Sequence, residues 1–289
     1  MALIKASAYA KINLFLEVLG KRPDGFHDIK TVMRRTTLCD EVTVETVEDG
    51  RGEIALTVQG NDNIPTDGEN LVYRAAEKYL SRAGVRDSVR ISLEKNIPVG
   101  AGLGGGSADA AATLRALERI YGALDSGEIL DIAASIGSDV PFCLFGWTAV
   151  CEGRGEIITP ITDKRKMHLV IAKKERSVST PAAFAALDEA KELGKIPPTP
   201  QDECCSNLLK YLANEGELPT ILYNSFEFSL GELEEDILDL KKKMRDFGAL
   251  TALMSGSGPS VVGIFPDEKS AALCADTLLK SGVFAYYSN

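Results

Sequence analysis

Apolar and polar residues partly alternate along much of the first third of the chain, in segments rich in β-branched side chains. A period of two residues is typical of a strand with one covered face and one face in water, and β-branched residues favour that conformation. Glycine-containing turns separate several of these segments, so we expect an antiparallel sheet with one covered face. The pattern predicts strands over residues 3–10, 12–20, 29–37, 41–47, 53–59 and 89–95.

Three segments of the first half instead show the period of a helix. In residues 69–84, Asn70 is suited to the N-cap and Gly84 to the C-terminal stop. An alanine-rich helix is predicted over 107–122, and a further helix over 125–137.

The second half of the chain mixes strands and helices without regular βαβ alternation, which indicates an α+β fold. We place a domain boundary after residue 157, which gives domains over 1–157 and 158–289. The pattern predicts strands over 167–174 and at the chain end, helices over 180–190, 229–248 and 268–282, a strand–turn–strand unit over 250–265, and a proline-rich loop over 194–203.

The charge balance restricts the partners of this 289-residue chain. Lys and Arg number 32 against 42 Asp and Glu, which gives a net charge of −10 and a pI near 4.9. Such an acidic chain is not expected to take nucleic acid or an anionic membrane as its main partner. Any phosphate must therefore be bound locally, by backbone amides or by a few lysines.

Cysteine and histidine usage points to a cytoplasmic protein without zinc. Six cysteines are scattered without a C-x-x-C pair, and the only histidines are His27 and His168. This composition is typical of reduced thiols in a cytosolic chain and makes a zinc site unexpected. The N-terminal segment does not have the composition of a signal peptide, and no apolar run is long enough to span a bilayer.

The stretch PVGAGLGGGSADAA, which begins at Pro98, is the most unusual segment, because five of the nine residues 98–106 are glycine. It satisfies the dinucleotide pattern G-x-G-x-x-G, but two predicted helices follow where a Rossmann unit needs a strand and an acidic residue. A Walker A loop is excluded because no lysine precedes Ser107. A different phosphate-binding loop remains, with amides and a helix start near Ser107 or Ala108 facing the phosphates. The alternative is a flexible connection or a tight packing turn.

A second glycine cluster, MSGSGPS, covers Met254 to Ser260 between two predicted strands. Glycine dipeptides are common in hairpins, so a plain turn is the first interpretation. The functional interpretation is a second close approach of the backbone to a phosphate or a substrate.

With these segments placed, the chain resembles the GHMP kinases. AYAKINLFLEV near the N-terminus, PVGAGLGGGSADAA and LMSGSGPSVVGIF each match one motif of that superfamily. KRPDGFH and GSDVPF narrow the resemblance to the members that phosphorylate a cytidine diphosphate-linked methylerythritol. Phe26 stands where those members usually have tyrosine, and Ser107-Ala108 replaces a common Ser-Ser pair.

The resemblance implies a two-domain GHMP kinase fold, with a ribosomal-protein-S5-like N-terminal domain, a ferredoxin-like C-terminal domain and the active site in the cleft between them. It implies ATP and Mg²⁺ as cofactors, a small-molecule acceptor, and a monomer or weak homodimer. Two alternatives stay open: a GHMP kinase for another small alcohol, such as homoserine or mevalonate, and a non-catalytic GHMP-like binding protein. No pair of acidic residues in the sequence identifies the Mg²⁺ ligands.

The resemblance assigns the chemistry to Lys11 and Asp139. By itself Asp139 would be interpreted as a turn or N-cap aspartate, and Lys11 as a lysine that reaches the surface from a strand. The matching motifs instead make Asp139 the group that accepts the proton of the acceptor hydroxyl and Lys11 its cationic neighbour.

The remaining site residues are also carried over from the matching motifs. Those expected on the ATP side are Asn70, Lys95, Pro98, Val99, Gly100, Ala101, Gly102, Leu103, Gly104, Gly105, Gly106, Ser107 and Ala108. Those expected on the acceptor side, with Phe26 and His27 on the cytosine, are Asn13, Phe26, His27, Thr180, Phe184, Gly256, Ser257 and Gly258.

Overall fold

A computed structural model describes residues 2–60, 63–196 and 201–289. The chain forms two compact units, and each unit is assembled from separate stretches of sequence. The first contains the chain up to Lys11, Thr37–Val99 and Gly104–Trp147; the second contains Ile12–Thr36, Gly100–Leu103 and Thr148–Asn289. The boundary expected after residue 157 divides the chain at one point and stays a prediction.

The first two strands are longer than the sequence predicts. Strand β1 spans Leu3–Lys21 and pairs with β2, which spans His27–Val47, whereas each had been predicted as two strands. Residues 10–16 of β1 are all buried, so both faces of the strand are covered there. The alternation therefore disappears in the middle of the strand, where the backbone remains extended.

In the first unit, strand β3 (Ile54–Gln59) pairs parallel to β4 (Ser88–Glu94), and β4 pairs antiparallel to the second half of β2. The expected all-antiparallel sheet is therefore wrong at β3. The reason lies in the connection, because helix α1 (Leu71–Ala83) joins β3 to β4 and a helical crossover returns the chain in the same direction.

Three further helices complete the first unit: α2 (Gly105–Tyr121), α3 (Ser126–Ile136) and α4 (Val140–Phe145). The predicted ends of α1 are confirmed, because the Asn70 side chain accepts from an N–H of the first turn and Gly84 adopts φ 66°. Helix α4 was not predicted, since six residues are too few to show a helical period.

In the second unit, β5 (Thr148–Gly153) pairs with the first half of β2 and with β6 (Ile157–Pro160). A separate four-stranded antiparallel sheet has the order β10 (Phe284–Ser288), β7 (His168–Lys173), β9 (Val261–Phe265) and β8 (Thr251–Met254). The helices of this unit are α5 (Thr180–Glu192), α6 (Gln201–Leu212), α7 (Glu234–Asp246) and α8 (Glu268–Lys280).

Two expectations for the second half need correction. The predicted loop over 194–203 includes residues 197–200, which lie outside the described residues, and the chain is already helical at Gln201. The predicted helix over 229–248 begins as a short 3₁₀ turn at Gly231–Leu233 and becomes α-helical only at Glu234. The other predicted helices and strands of this half are confirmed within a few residues.

Candidate active site

In the glycine-rich loop, glycines with positive φ alternate with buried apolar residues. Gly100, Gly102 and Gly104 have φ angles of 62°, 73° and 67°, a region that strains residues with a side chain. The two residues between them, Ala101 and Leu103, are buried. Two apolar side chains therefore fix the loop, while bare backbone occupies the positions between them.

Gly102 packs directly against the second glycine cluster. A Cβ on Gly102 would lie 2.2 Å from the carbonyl oxygen of Ser255, and a Cβ on Gly256 would lie 2.9 Å from the carbonyl oxygen of Gly102. The Ser255 hydroxyl donates to the Gly102 carbonyl at 3.1 Å and accepts from the backbone N–H of Asn13 at 3.1 Å. One buried hydroxyl thus connects all three motifs. The cluster is the predicted turn, and it joins β8 to β9.

Helix α2 begins at Gly105, two residues before the predicted start at Ser107, because Gly104 takes the N-cap position. The first N–H groups of any helix have no partner within the helix, and Gly104 offers no capping side chain. Gly105 and Gly106 extend this bare start. Such a helix N-terminus favours an anion through its N–H groups and its dipole.

Lys11 and Asp139 are brought together, with Lys11 Nζ 3.3 Å from Asp139 Oδ2. The Lys11 side chain is 6% exposed and that of Asp139 29% exposed. Asp139 stands at the N-cap position of α4, but its side chain makes no capping hydrogen bond. A capping role therefore does not account for this carboxylate, which contacts an ammonium group and remains accessible to water.

The Lys11 side chain also passes the last glycine of the loop. A Cβ on Gly104 would lie 2.9 Å from Lys11 Cγ and 3.0 Å from Lys11 Cε. Gly104 therefore adopts a positive φ, occupies the N-cap position of α2 and leaves room for the lysine that contacts Asp139.

The side chains of the two residues expected near adenosine, Asn70 and Lys95, already have hydrogen-bond or ion-pair partners within the protein. The Asn70 side chain accepts from the N–H of Val72 at 2.9 Å and donates to the carbonyl of Pro65 at 2.7 Å. The Lys95 ammonium lies between two buried carboxylates, those of Asp40 and Asp109.

One face of α5 carries two of the residues expected on the acceptor side, Thr180 and Phe184, together with Asp188. Thr180, Phe184 and Asp188 follow each other at intervals of four residues, which places them on one side of a helix. The His27 ring stacks on Phe184 with centroids 4.6 Å apart, and its Nε2 lies 2.8 Å from Asp188 Oδ1. The Thr180 hydroxyl is 3.3 Å from that of Ser257. Asp188 was not predicted, although its helical spacing from Phe184 could have indicated it.

The pKa of Asp188 indicates which atom carries the hydrogen in the Asp188–His27 hydrogen bond. Burial alone would raise the pKa of Asp188, but hydrogen bonds from His27 and Lys21 lower that pKa below its ordinary value. Asp188 is thus a carboxylate, which accepts hydrogen bonds and donates none. The Nε2 atom of His27 must therefore carry the shared hydrogen.

Phe26 and Asn13 differ in exposure. The Phe26 ring is 51% exposed, and the guanidinium carbon of Arg154 lies 4.8 Å from its centroid, within the range of a cation–π contact. Arg154 was another residue that sequence reasoning missed. Asn13 is buried, and its Nδ2 donates to the Thr31 hydroxyl at 2.8 Å.

The family models agree with the motifs. The model described as GHMP kinases N terminal domain matches residues 70–147, and the GHMP kinases C terminal model matches 207–283. Together they match more than half of the chain, so the GHMP kinase resemblance is confirmed.

Relatives that match over most of the chain show which kinase family within the GHMP kinases it belongs to. The chain is 42% identical over 272 residues to the 4-diphosphocytidyl-2-C-methyl-D-erythritol kinase of Caldicellulosiruptor saccharolyticus, across 94% of this chain and 91% of that protein. This chain belongs to that kinase family. The kinase of the same name from Clostridium tetani is 39% identical over 274 residues, across 94% of each chain.

Solved structures confirm the fold of this family member. A crystal structure of 4-(cytidine 5'-diphospho)-2C-methyl-D-erythritol kinase matches with a TM-score of 0.79 and 34% identity, over 99% of this chain and 98% of the other. A crystal structure of a homoserine kinase from Cytophaga hutchinsonii matches with a TM-score of 0.78 and 20% identity, over 100% of this chain and 95% of the other. The second match shows a shared fold alone. The predicted α+β GHMP fold is therefore confirmed.

Membership of the GHMP kinases also confirms ATP as the phosphoryl donor. Over residues 2–60, 63–196 and 201–289, no group of three or more His, Cys, Asp and Glu side chains is placed to hold a metal ion. In the same part of the chain, every helix is too short or too polar to cross a membrane.

Proposed function

We propose that this kinase transfers the γ-phosphoryl group of ATP to the 2-hydroxyl of 4-diphosphocytidyl-2-C-methyl-D-erythritol. The products are the 2-phosphate and ADP, and the reaction belongs to the non-mevalonate route to isoprenoid precursors. The observation that carries the proposal is the Lys11–Asp139 pair, 3.3 Å apart, beside the last glycine of the loop. The names of the relatives supply the acceptor.

Asp139 takes the proton of the acceptor hydroxyl in this proposal. The carboxylate is partly exposed, so a bound hydroxyl can reach it, and proton removal by a positioned base typically contributes ~10²–10⁴-fold to a rate. Lys11 orients Asp139 and polarises the hydroxyl, and its positive charge stabilises the charge that develops in the transition state.

The loop from Pro98 to Ala108 binds the ATP phosphates, with Asn70 and Lys95 on the adenosine side. The positive φ angles of Gly100, Gly102 and Gly104 support this assignment, because the loop backbone at these positions carries no side chain that would keep a phosphate away from its amides. Mg²⁺ accompanies ATP. It usually keeps several waters and binds substrate phosphates with few protein ligands, which fits a chain without a described carboxylate cluster. The Ser107 hydroxyl is the candidate protein ligand, and bound Mg²⁺ would neutralise phosphate charge.

The cytosine of the acceptor binds at Phe26, His27 and Phe184. In the imidazole tautomer that carries its hydrogen on Nε2 toward Asp188, Nδ1 of His27 is a hydrogen-bond acceptor. Cytosine offers an amino donor at the position where uracil has a carbonyl acceptor, so this arrangement favours cytosine. Other acceptor contacts are proposed at Asn13, Thr180, Gly256, Ser257 and Gly258.

The decisive experiment follows ADP release in a coupled assay with the cytidine diphosphate-linked acceptor, homoserine and mevalonate in parallel. We expect turnover with the first alone. Turnover with another alcohol would replace the acceptor, and no ADP with any acceptor would favour a binding protein. Asp139→Asn and Lys11→Met test the chemistry, and near wild-type turnover in either folded variant would overturn the assignment.

We also infer a cytoplasmic location and a monomer or weak homodimer. The six cysteines are all free, as expected of a reducing compartment, which supports the location. Light scattering at several protein concentrations measures the assembly state.

A further inference from the structure

We infer that Asp40, Lys95 and Asp109, here called the buried charge cluster, position the glycine-rich loop for ATP. None of the three side chains has to contact the nucleotide for this role. The inference rests on the confirmed use of ATP and on contacts within the first compact unit, and it does not depend on the proposed acceptor.

The cluster consists of one ammonium group between two carboxylates. Lys95 Nζ lies 2.7 Å from Asp109 Oδ2 and also contacts Asp40 Oδ2. The side chains of Lys95, Asp40 and Asp109 are 6%, 0% and 3% exposed. Burial would lower the pKa of Lys95, but the two carboxylates raise it above its ordinary value. The cation is therefore a permanent link between them.

This link joins the two ends of the loop. On one side, Asp40 Oδ1 accepts from the backbone N–H groups of Asn96 at 2.5 Å and Ile97 at 2.7 Å, directly before the loop begins. On the other side, Asp109 belongs to α2, which starts directly after the loop. A single ammonium group thus fixes the distance between the end of β4 and the start of α2.

The start of α2 lies close to this link. A Cβ on Gly105 would be 3.4 Å from Lys95 Nζ and 3.1 Å from Ile97 Cγ2. The backbone at the start of α2 therefore packs against Lys95, which belongs to the cluster, and against Ile97, whose N–H is bound by Asp40. Amides that are already in place when ATP arrives save the cost of ordering them on binding.

Stability alone does not explain the cluster. Buried ion pairs are often no better for stability than apolar side chains of similar volume. Asp109 Oδ1 is buried without a hydrogen-bond partner among the residues that the structure describes, which is a further cost. A role in holding the loop gives a reason for this expensive arrangement.

The test separates ATP binding from acceptor binding. In Asp109→Ala the Lys95–Asp40 pair keeps its charge balance, so the variant is expected to fold. We expect ATP affinity, measured by titration without acceptor, to fall about tenfold from the loss of one charge-assisted hydrogen bond. The KM of the acceptor should stay within about twofold. Asp109→Asn retains an acceptor oxygen for Lys95 and should restore most of the affinity.

Glu41→Gln is the matched control, because Glu41 follows Asp40 in β2 and forms a 2.7 Å ion pair with Lys5 that is exposed. It should leave ATP affinity unchanged. The inference is overturned if folded Asp109→Ala binds ATP as the wild type does, or if Asn fails to restore what Ala loses. Equal weakening of ATP and acceptor would also overturn it. A wrong acceptor assignment would leave the ATP titration intact and appear only in turnover.

Discussion

Two buried lysines in the first compact unit contact carboxylates in different ways. The Lys11 and Lys95 side chains are both 6% exposed. The carboxylate of Asp139, the partner of Lys11, is 29% exposed, whereas those of Asp40 and Asp109 are 0% and 3% exposed. The two arrangements therefore differ in the exposure of the carboxylate and not in that of the lysine: Asp139 is accessible to a solute, whereas Asp40 and Asp109 are not.

The hydrogen bonds of the carboxylates show the same difference. Asp40 accepts from two backbone N–H groups and from Lys95, so it is committed to the fold. Asp139 occupies an N-cap position without making the capping bond. The fold therefore does not use the Asp139 carboxylate to cap α4, and this carboxylate contacts Lys11 instead.

The largest expected effect is on turnover, in Asp139→Asn. The amide keeps the shape but cannot take a proton, so kcat should fall ~10²–10⁴-fold. The melting temperature should fall only modestly, because Asp139 does not cap α4 and the carboxylate of its pair with Lys11 is 29% exposed. Steady-state ADP release and a thermal melt measure both. A folded variant that keeps a tenth or more of the wild-type kcat would contradict the catalytic role.

Lys95→Met should act mainly on stability. Two buried carboxylates would lose their cation, and breaking a buried ion pair in this way typically costs ~3–5 kcal/mol of unfolding free energy. Denaturant titration measures the loss. Lys5→Met, which removes an exposed lysine from its pair with Glu41, is the control and should have no measurable effect. Equal stability of Lys95→Met and wild type would show that the cluster is not a buried ion cluster in solution.

Gly104→Ala sharpens the comparison at the point where the loop meets Lys11. A side chain at φ 67° costs ~1–2 kcal/mol, and the new Cβ would also displace the Lys11 chain. We expect about a tenfold lower kcat, since a small shift of a catalytic group is costly. Gly84→Ala is the control, with φ 66° and no atom within 4 Å of its Cβ. It should lose stability and keep kcat. Equal kcat in the two variants would contradict the contact with Lys11.

The smallest effect is a pH dependence of stability from Asp109. Burial raises the pKa of Asp109 above its ordinary value, and Lys95 offsets this only in part, so from pH ~4 up to the raised pKa the folded state binds more protons there than the unfolded state. Stability from this group is present at low pH and is lost as pH rises through that window. Asp109→Asn has no such proton, so the unfolding free energy of the wild type should fall relative to that of the variant from pH 5 to 8.5. Parallel curves would contradict this.

Local patterns predicted much of the fold, but not the pairings between distant residues. Asn70 and Gly84 were found as helix ends because capping depends on neighbouring residues. The parallel pairing of β3 with β4 was not predicted, because the alternation of apolar and polar residues in a strand does not specify the direction of its partner. Long β1 was divided because its centre is covered on both faces.

The candidate site shows the same limit. The glycine loop and the Lys11–Asp139 pair were accessible through motifs, whereas Asp40 and Lys95 are 55 residues apart and belong to no common pattern. His27 and Asp188 are 161 residues apart. Contacts of this range follow from the packed fold, and the sequence carries only weak local hints of them, such as the spacing of Asp188 from Phe184.

The interleaved assembly of the second unit has a consequence for synthesis on the ribosome. Residues Ile12–Thr36 belong to this unit, but most of its chain begins at Thr148. The Leu16 N–H, for example, donates to the Tyr223 carbonyl. At the usual ~5–20 residues per second, Leu16 would wait about 10–40 s for this partner. The nascent chain thus exposes a long apolar strand during translation, and this interval is where chaperones would matter most.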